Sequence, residues 1–172
     1  MRVRASGDPL PLHYSVSVPE ARSSLATGLG RVLVIVYAIL ALAATGRSVS
    51  QILSRFDEAP VAFTLSALAA VVYIVATIAL VAKGPVWNRV AWIAIGFELV
   101  GVLVIGAISL LAPQLLGLPD INPFGRYATV WSDFGAGYLC IPLVLPVLGL
   151  LWLRSRRDAA RQAATVDAEV RA

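Results

Sequence analysis

The residues from Val61 to Ala82 form a run of 22 without a charged side chain. A helix rises about 1.5 Å per residue, so such a run reaches about 33 Å, against a bilayer hydrocarbon core of about 30 Å. A second stretch of 22, Val90 to Leu111, is interrupted only by Glu98. A further apolar stretch, Phe134 to Leu153, ends at Arg154 and carries Pro142 and Pro146. Composition points the same way: 59% of the chain is hydrophobic, 14% is charged and the mean hydropathy is +0.82. Ordinary soluble domains stand near 45–50% apolar and about 25% charged. The chain therefore reads as an all-α, multi-spanning membrane protein.

The N-terminal stretch is less clean. Between Arg31 and Arg47 lie 15 uncharged residues, so a span needs Leu25 to Gly30 as well, with Arg31 snorkelling toward the headgroups. A rival reading makes Val32 to Leu40 the apolar part of a secretory signal cleaved after Ala41-Leu42-Ala43, but such signals begin much nearer the N-terminus. Four spans result, at about 25–45, 61–82, 90–111 and 134–153, in a membrane domain covering 25–153. Residues 1–24, with Pro9, Pro11 and Pro19 and no apolar periodicity, read as a disordered cytoplasmic tail. Residues 154–172 read as a basic cytoplasmic tail.

Charge sets the orientation. With the N-terminal tail, the Lys83–Arg89 loop and the C-terminal tail on one side, that side holds eleven of the 14 Lys and Arg residues, and the other holds Arg47, Arg55 and Arg126. The asymmetry puts both termini in the cytoplasm. Arg154, Arg156, Arg157 and Arg161 form a lipid-facing basic cluster suited to anionic lipid, although topogenic charge is the simpler account of it. The net charge of +4 lies beside apolar spans and not on a folded basic face, which argues against nucleic acid as a partner. Arginine outnumbers lysine 13 to 1, a bias expected of a GC-rich bacterial genome.

On the outer side, Val49, Ile52, Leu53 and Phe56 recur at helical spacing, with Arg47, Ser50, Gln51 and Ser54 elsewhere around the helix. This is a short interfacial helix after the first span, or an extension of that span. Ala112 to Trp131 is the longest loop, punctuated by Pro113, Gly117, Pro119, Pro123 and Gly125, with Phe124, Tyr127 and Trp131 as expected interfacial anchors. Functional loop and passive cap stand as equal readings of it.

Glu98 falls eight residues into the third span, about 12 Å deep by helical rise. An ionisable group there costs a few kcal/mol and faces protein or water. Tyr37 and Tyr73 fall at similar depth in the first and second spans, so the three define either a proton or cation relay or an interhelix polar cluster worth about 0.6–2 kcal/mol. Ala62, Ser66, Ala70, Tyr73 and Thr77 share one face of the second span, and Ala94, Glu98, Gly101, Ile105 and Ser109 one face of the third, a pattern for close helix packing. In the fourth span Pro142 and Pro146 free the carbonyls of Tyr138 and Pro142, making Tyr138, Pro142 and Pro146 a candidate helix break. Freed carbonyls bind cations or water in broken transporter helices, and more often a bend or a hydroxyl satisfies them. Asp133 reads as a cap at the helix start.

Trp131-Ser132-Asp133-Phe134-Gly135-Ala136-Gly137-Tyr138 with the two prolines that follow, and Glu98 in the third of four spans, resemble small integral membrane proteins of GC-rich actinobacteria. The resemblance covers about 30–153 and implies a plasma-membrane address, with no activity or site residues. His13 is the only histidine and Cys140 the only cysteine, so a bis-histidine haem, a His/Cys zinc site and a redox dithiol lack their ligands, and no cofactor is expected. No Walker A, HExxH or GxSxG pattern occurs. The leading reading is a non-enzymatic assembly or accessory subunit, partnered by the lipid bilayer and by a membrane protein or a second copy. The alternative is a small oligomeric transporter or channel working through Glu98.

Overall fold

A computed structural model describes residues 21–117 and 126–171, with side chains from Gly28 onward. The long helices are α1 (Ala21–Arg55), α2 (Pro60–Val81), α3 (Pro85–Leu111) and α4 (Ile141–Arg171). Short 3₁₀ segments lie at Phe56–Glu58, Pro113–Leu116 and Ser132–Tyr138. Among the described residues three helices are long and apolar enough to cross a membrane, and a fourth span arises if the bent pair Ser132–Tyr138 and Ile141–Arg171 is one crossing. Residues 1–20 of the expected N-terminal tail lie outside the described residues, as do Pro119, Pro123, Phe124 and Gly125 of the expected loop.

Proline starts two of the spans. Pro60 and Pro85 sit in the first turns of α2 and α3, where a missing N–H costs nothing and the fixed φ favours the helix. Between them, Ala82 closes α2 by donating its N–H to the Ile78 carbonyl at 2.9 Å, and Gly84 turns the chain at φ 115°, open to glycine alone at little cost. The helices are inverted relative to a soluble bundle. In α2, Ala62, Ser66, Ala69, Ala70 and Ala76 are buried, whereas Val61, Leu68, Val71, Ile74 and Ile78 are exposed. Most of its large aliphatic side chains face outward, Val72 and Leu80 excepted, and the small buried ones let the backbones approach. The small-residue faces expected for α2 and α3 are these buried faces, and α2 packs against α1 as well as α3.

The stripe from Val49 to Phe56 continues α1 without a break to Arg55, and the short 3₁₀ helix Phe56–Glu58 follows it. Its apolar residues point outward, Leu53 at 82% exposure, while Ser48 and Gln51 are buried against the bundle.

The fourth apolar stretch is not one helix from Phe134 to Leu153. The chain bends by 99° between Ser132–Tyr138 and Ile141–Arg171. Asp133, Phe134, Gly135, Leu139 and Cys140 all adopt positive φ, between 51° and 78°. Pro142 accounts for where α4 begins: its ring excludes the carbonyl four residues back, so the helix starts at Ile141 with Pro142 in the first turn. The break thus precedes Pro142, and Pro146 lies within α4. The expected cap at Asp133 is replaced by a left-handed residue with no side-chain capping bond at that segment's start. From Ile141 to Leu153, α4 rises only about 20 Å, so if this stretch is a crossing the bent segment supplies its remaining depth. Beyond Leu153, α4 runs to Arg171 as an exposed helix through the stretch read as a basic tail.

Candidate functional site

Glu98, Tyr37 and Tyr73 come from three helices and meet at the centre of the bundle, each 0% exposed. The Tyr37 hydroxyl donates to Glu98 Oε2 at 2.7 Å. The two tyrosine rings lie 6.2 Å apart at 54°. The three residues singled out by depth lie together, with the hydrogen bond to Glu98 coming from Tyr37 and the Tyr73 hydroxyl accepting from Trp131 instead. Glu98 Oε1 is buried and has no hydrogen-bond partner among the described residues.

Trp131 closes the cluster. Its indole Nε1 donates to the Tyr73 hydroxyl at 3.2 Å, and its ring meets Phe97 at 6.3 Å, edge to face. Gly101, one turn beyond Glu98, makes room: a Cβ there would stand 2.9 Å from the Trp131 ring. From the other side Gly149 of α4 lies where a Cβ would be 3.6 Å from the Tyr37 hydroxyl. Trp131 is 1% exposed and belongs to the core, not to the membrane interface where an anchor was expected. The expected anchor Tyr127 is half-buried against Phe63, with ring centroids 6.3 Å apart. An indole with a buried acceptor within reach gains more from donating to it than from lying at the headgroups.

A second polar layer lies toward the 126–138 segment. Arg47 donates through Nη2 to the Ala128 carbonyl at 2.6 Å and through Nη1 to the Tyr138 hydroxyl at 3.3 Å. Gln51, one turn on, donates to the Arg126 carbonyl at 3.2 Å. Thr129 Oγ1 accepts from the backbone N–H groups of Trp131 and Ser132, while Ser132 Oγ accepts from that of Thr129. Ser109 Oγ of α3 accepts the N–H of Asp133 at 2.7 Å and donates to the Gly106 carbonyl at 2.8 Å. Side chains thus take up backbone groups that the broken segment leaves without helical partners. Tyr138 serves as the acceptor for Arg47, and Pro142 and Pro146 are buried in the packing.

In the sequence Arg47 and Gln51 stand only as polarity flanking the Val49–Phe56 stripe, and this layer is not apparent from that pattern. A signal for it exists: Tyr37, Leu40, Ala44, Ser48 and Gln51 follow spacings of three and four, and all five are buried. Extending the Tyr37 face along α1 leads to the second layer. Arg154, Arg156, Arg157 and Arg161 are exposed on α4, and the Arg156 guanidinium stacks 4.8 Å from the centroid of the Trp152 ring.

Comparison with known protein families, curated proteins and solved structures finds no match. Among the described residues no group of three or more His, Cys, Asp or Glu side chains is placed to hold a metal ion.

Proposed function

We propose that this chain is a non-enzymatic accessory or assembly subunit of a bacterial plasma membrane, with both termini in the cytoplasm, where it packs against another membrane protein or a second copy. The observation that carries this reading is the closure of the polar centre. Glu98, Tyr37 and Tyr73 are each 0% exposed and lie among small residues, Trp131 and Gly149. A transport site needs access from at least one side, whereas an interhelix polar cluster needs only its own partners. Orientation rests on the excess of Lys and Arg beside the α2–α3 turn and the two tails.

A second reading, a small oligomeric transporter or channel with a proton- or cation-handling Glu98, draws on the unpartnered Oε1. One experiment separates them. Wild type and Glu98→Gln are reconstituted in liposomes, and dissipation of an imposed pH gradient is followed beside thermal stability. The glutamine keeps an oxygen for the Tyr37 hydroxyl and cannot titrate. For a subunit, neither protein dissipates the gradient faster than empty vesicles, and purification from native membranes brings down a stoichiometric membrane partner. Flux in the wild type that disappears in Glu98→Gln at unchanged stability would transfer the assignment to the transporter.

A further inference from the structure

At the end of the bundle bearing the α2–α3 turn, a groove of about 720 Å³ opens between α1, α2 and α4. Its volume is within the roughly 300–1,000 Å³ of small-molecule sites. Val34, Ile35, Leu80 and Val81 supply apolar walls, with Trp152 beside them. Three cations line the groove, each from a different element: Arg31, ten residues into α1, Lys83 in the turn and Arg156 on α4. Among the described residues that line it there is no carboxylate.

The aromatic side of the groove is built, not incidental. Trp152 is 8% exposed and packs on Gly30, where a Cβ would stand 2.5 Å from its ring. Any larger residue at Gly30 would displace the indole. The Arg156 guanidinium lies over the same ring, which fixes a cation at the groove and leaves its N–H edge for an anion. A smaller cleft of about 230 Å³ shares Lys83, Trp152 and Arg156 and adds Asn88. Apolar walls running along three membrane helices under a cluster of cations complement one chemistry: an acyl chain joined to a phosphate.

We propose that this groove binds one anionic phospholipid, its phosphate among Arg31, Lys83 and Arg156 and an acyl chain along Val34, Leu80 and Val81. The site differs from the diffuse basic cluster expected of the C-terminal tail, because two of its three cations lie outside that tail and one tail arginine is singled out. It stands independently of whether the chain is a subunit or a transporter.

The test uses the full chain in phosphatidylcholine vesicles, titrated with phosphatidylglycerol brominated on its acyl chains. The readout is quenching of Trp152 fluorescence, with Trp152→Phe as the blank. Brominated phosphatidylglycerol is expected to quench at lower mole fraction than brominated phosphatidylcholine. Each basic residue near an anionic headgroup contributes about 1 kcal/mol, so Arg31→Gln and Lys83→Gln each shift the midpoint about fivefold. Arg157→Gln with Arg161→Gln leaves it unchanged, and so does excess glycerol phosphate in the buffer. Equal quenching by the two lipids overturns the site. So does an equal shift from the Arg157 and Arg161 pair, which means diffuse surface charge. Displacement by glycerol phosphate also overturns it, in favour of a soluble phosphate ligand.

Discussion

The two ends of the bundle use arginine in opposite ways. Where α1 runs toward α2, Arg47 is half-buried and donates to the Ala128 carbonyl and the Tyr138 hydroxyl. At the opposite end Arg31, Lys83 and Arg156 are exposed around an open groove. The difference follows from the backbone beside them. Residues 126–138 leave helical hydrogen bonding, and their carbonyls require donors in a place with little water. The α2–α3 turn needs no such help, because Ala82 completes α2 with its own N–H and Gly84 turns the chain at once. Arginines flanking the apolar stretches are thus structural where irregular backbone is packed beside them, and stay exposed where the neighbouring backbone is continuous helix, as at Arg31 in α1 and Arg156 in α4.

The largest test of that contrast is Arg47→Met. Hydrogen bonds from a charged donor contribute about 1.5–3 kcal/mol each, and a buried acceptor left unpaired adds a penalty. We expect a loss of about 3 kcal/mol or more in reversible unfolding in mixed micelles, together with faster proteolysis within residues 126–138. A change under about 1 kcal/mol would mean that the broken segment does not depend on α1 for its donors.

Glycines on α3 sharpen the comparison at the level of packing. A Cβ at Gly106 would lie 2.8 Å from the backbone nitrogen of Phe134 in the irregular segment, whereas one at Gly96 would meet nothing within 4 Å. Gly106→Ala should destabilise by about 1–3 kcal/mol through overpacking. Gly96→Ala should gain about 0.5–1 kcal/mol, since alanine loses less backbone entropy in a helix. Equal responses would remove the claim that α3 approaches the broken segment closely.

Tyr37→Phe removes the donor to Glu98 Oε2 and leaves the ring packing against Tyr73 in place. Side-chain hydrogen bonds between membrane helices average about 0.6 kcal/mol and reach about 2 kcal/mol, so a loss near 1 kcal/mol is expected by the same unfolding assay. Tyr73→Phe, which removes the acceptor for Trp131, should lose a similar amount. A much larger loss in Tyr37→Phe alone would show Glu98 to be held by that single bond.

Much of this architecture was legible in the sequence, and for a physical reason. Uncharged runs of spanning length dictate helices, because lipid offers backbone groups no other partner. The same logic placed Glu98, Tyr37 and Tyr73 together, since depth along straight helices is a matter of counting residues. It failed where the chain stops being straight. Pro142 and Pro146 announced a break, yet its position before Pro142 depends on five residues with positive φ, four of them not glycine. No propensity favours Phe134 or Leu139 in that conformation, and surrounding packing imposes it. Trp131 went the same way: at a span boundary an indole reads as an anchor, and only the fold brings the Tyr73 hydroxyl within its reach.

The smallest expected effect closes the comparison. Arg31→Gln and Lys83→Gln remove exposed cations at the grooved end, where neither side chain donates to a backbone carbonyl among the described residues. In vesicles of phosphatidylcholine alone each should change stability by no more than about 0.5 kcal/mol, as exposed substitutions generally do. Placed beside Arg47→Met, the pair asks whether distance from the membrane boundary or the state of the neighbouring backbone sets an arginine's contribution. If Arg31→Gln costs as much as Arg47→Met without anionic lipid present, both ends of the bundle are structural and the contrast falls. If it costs nothing there and acquires a cost only when phosphatidylglycerol is added, stability at that end is linked to an occupied groove, because a ligand that binds the folded state alone stabilises it by mass action.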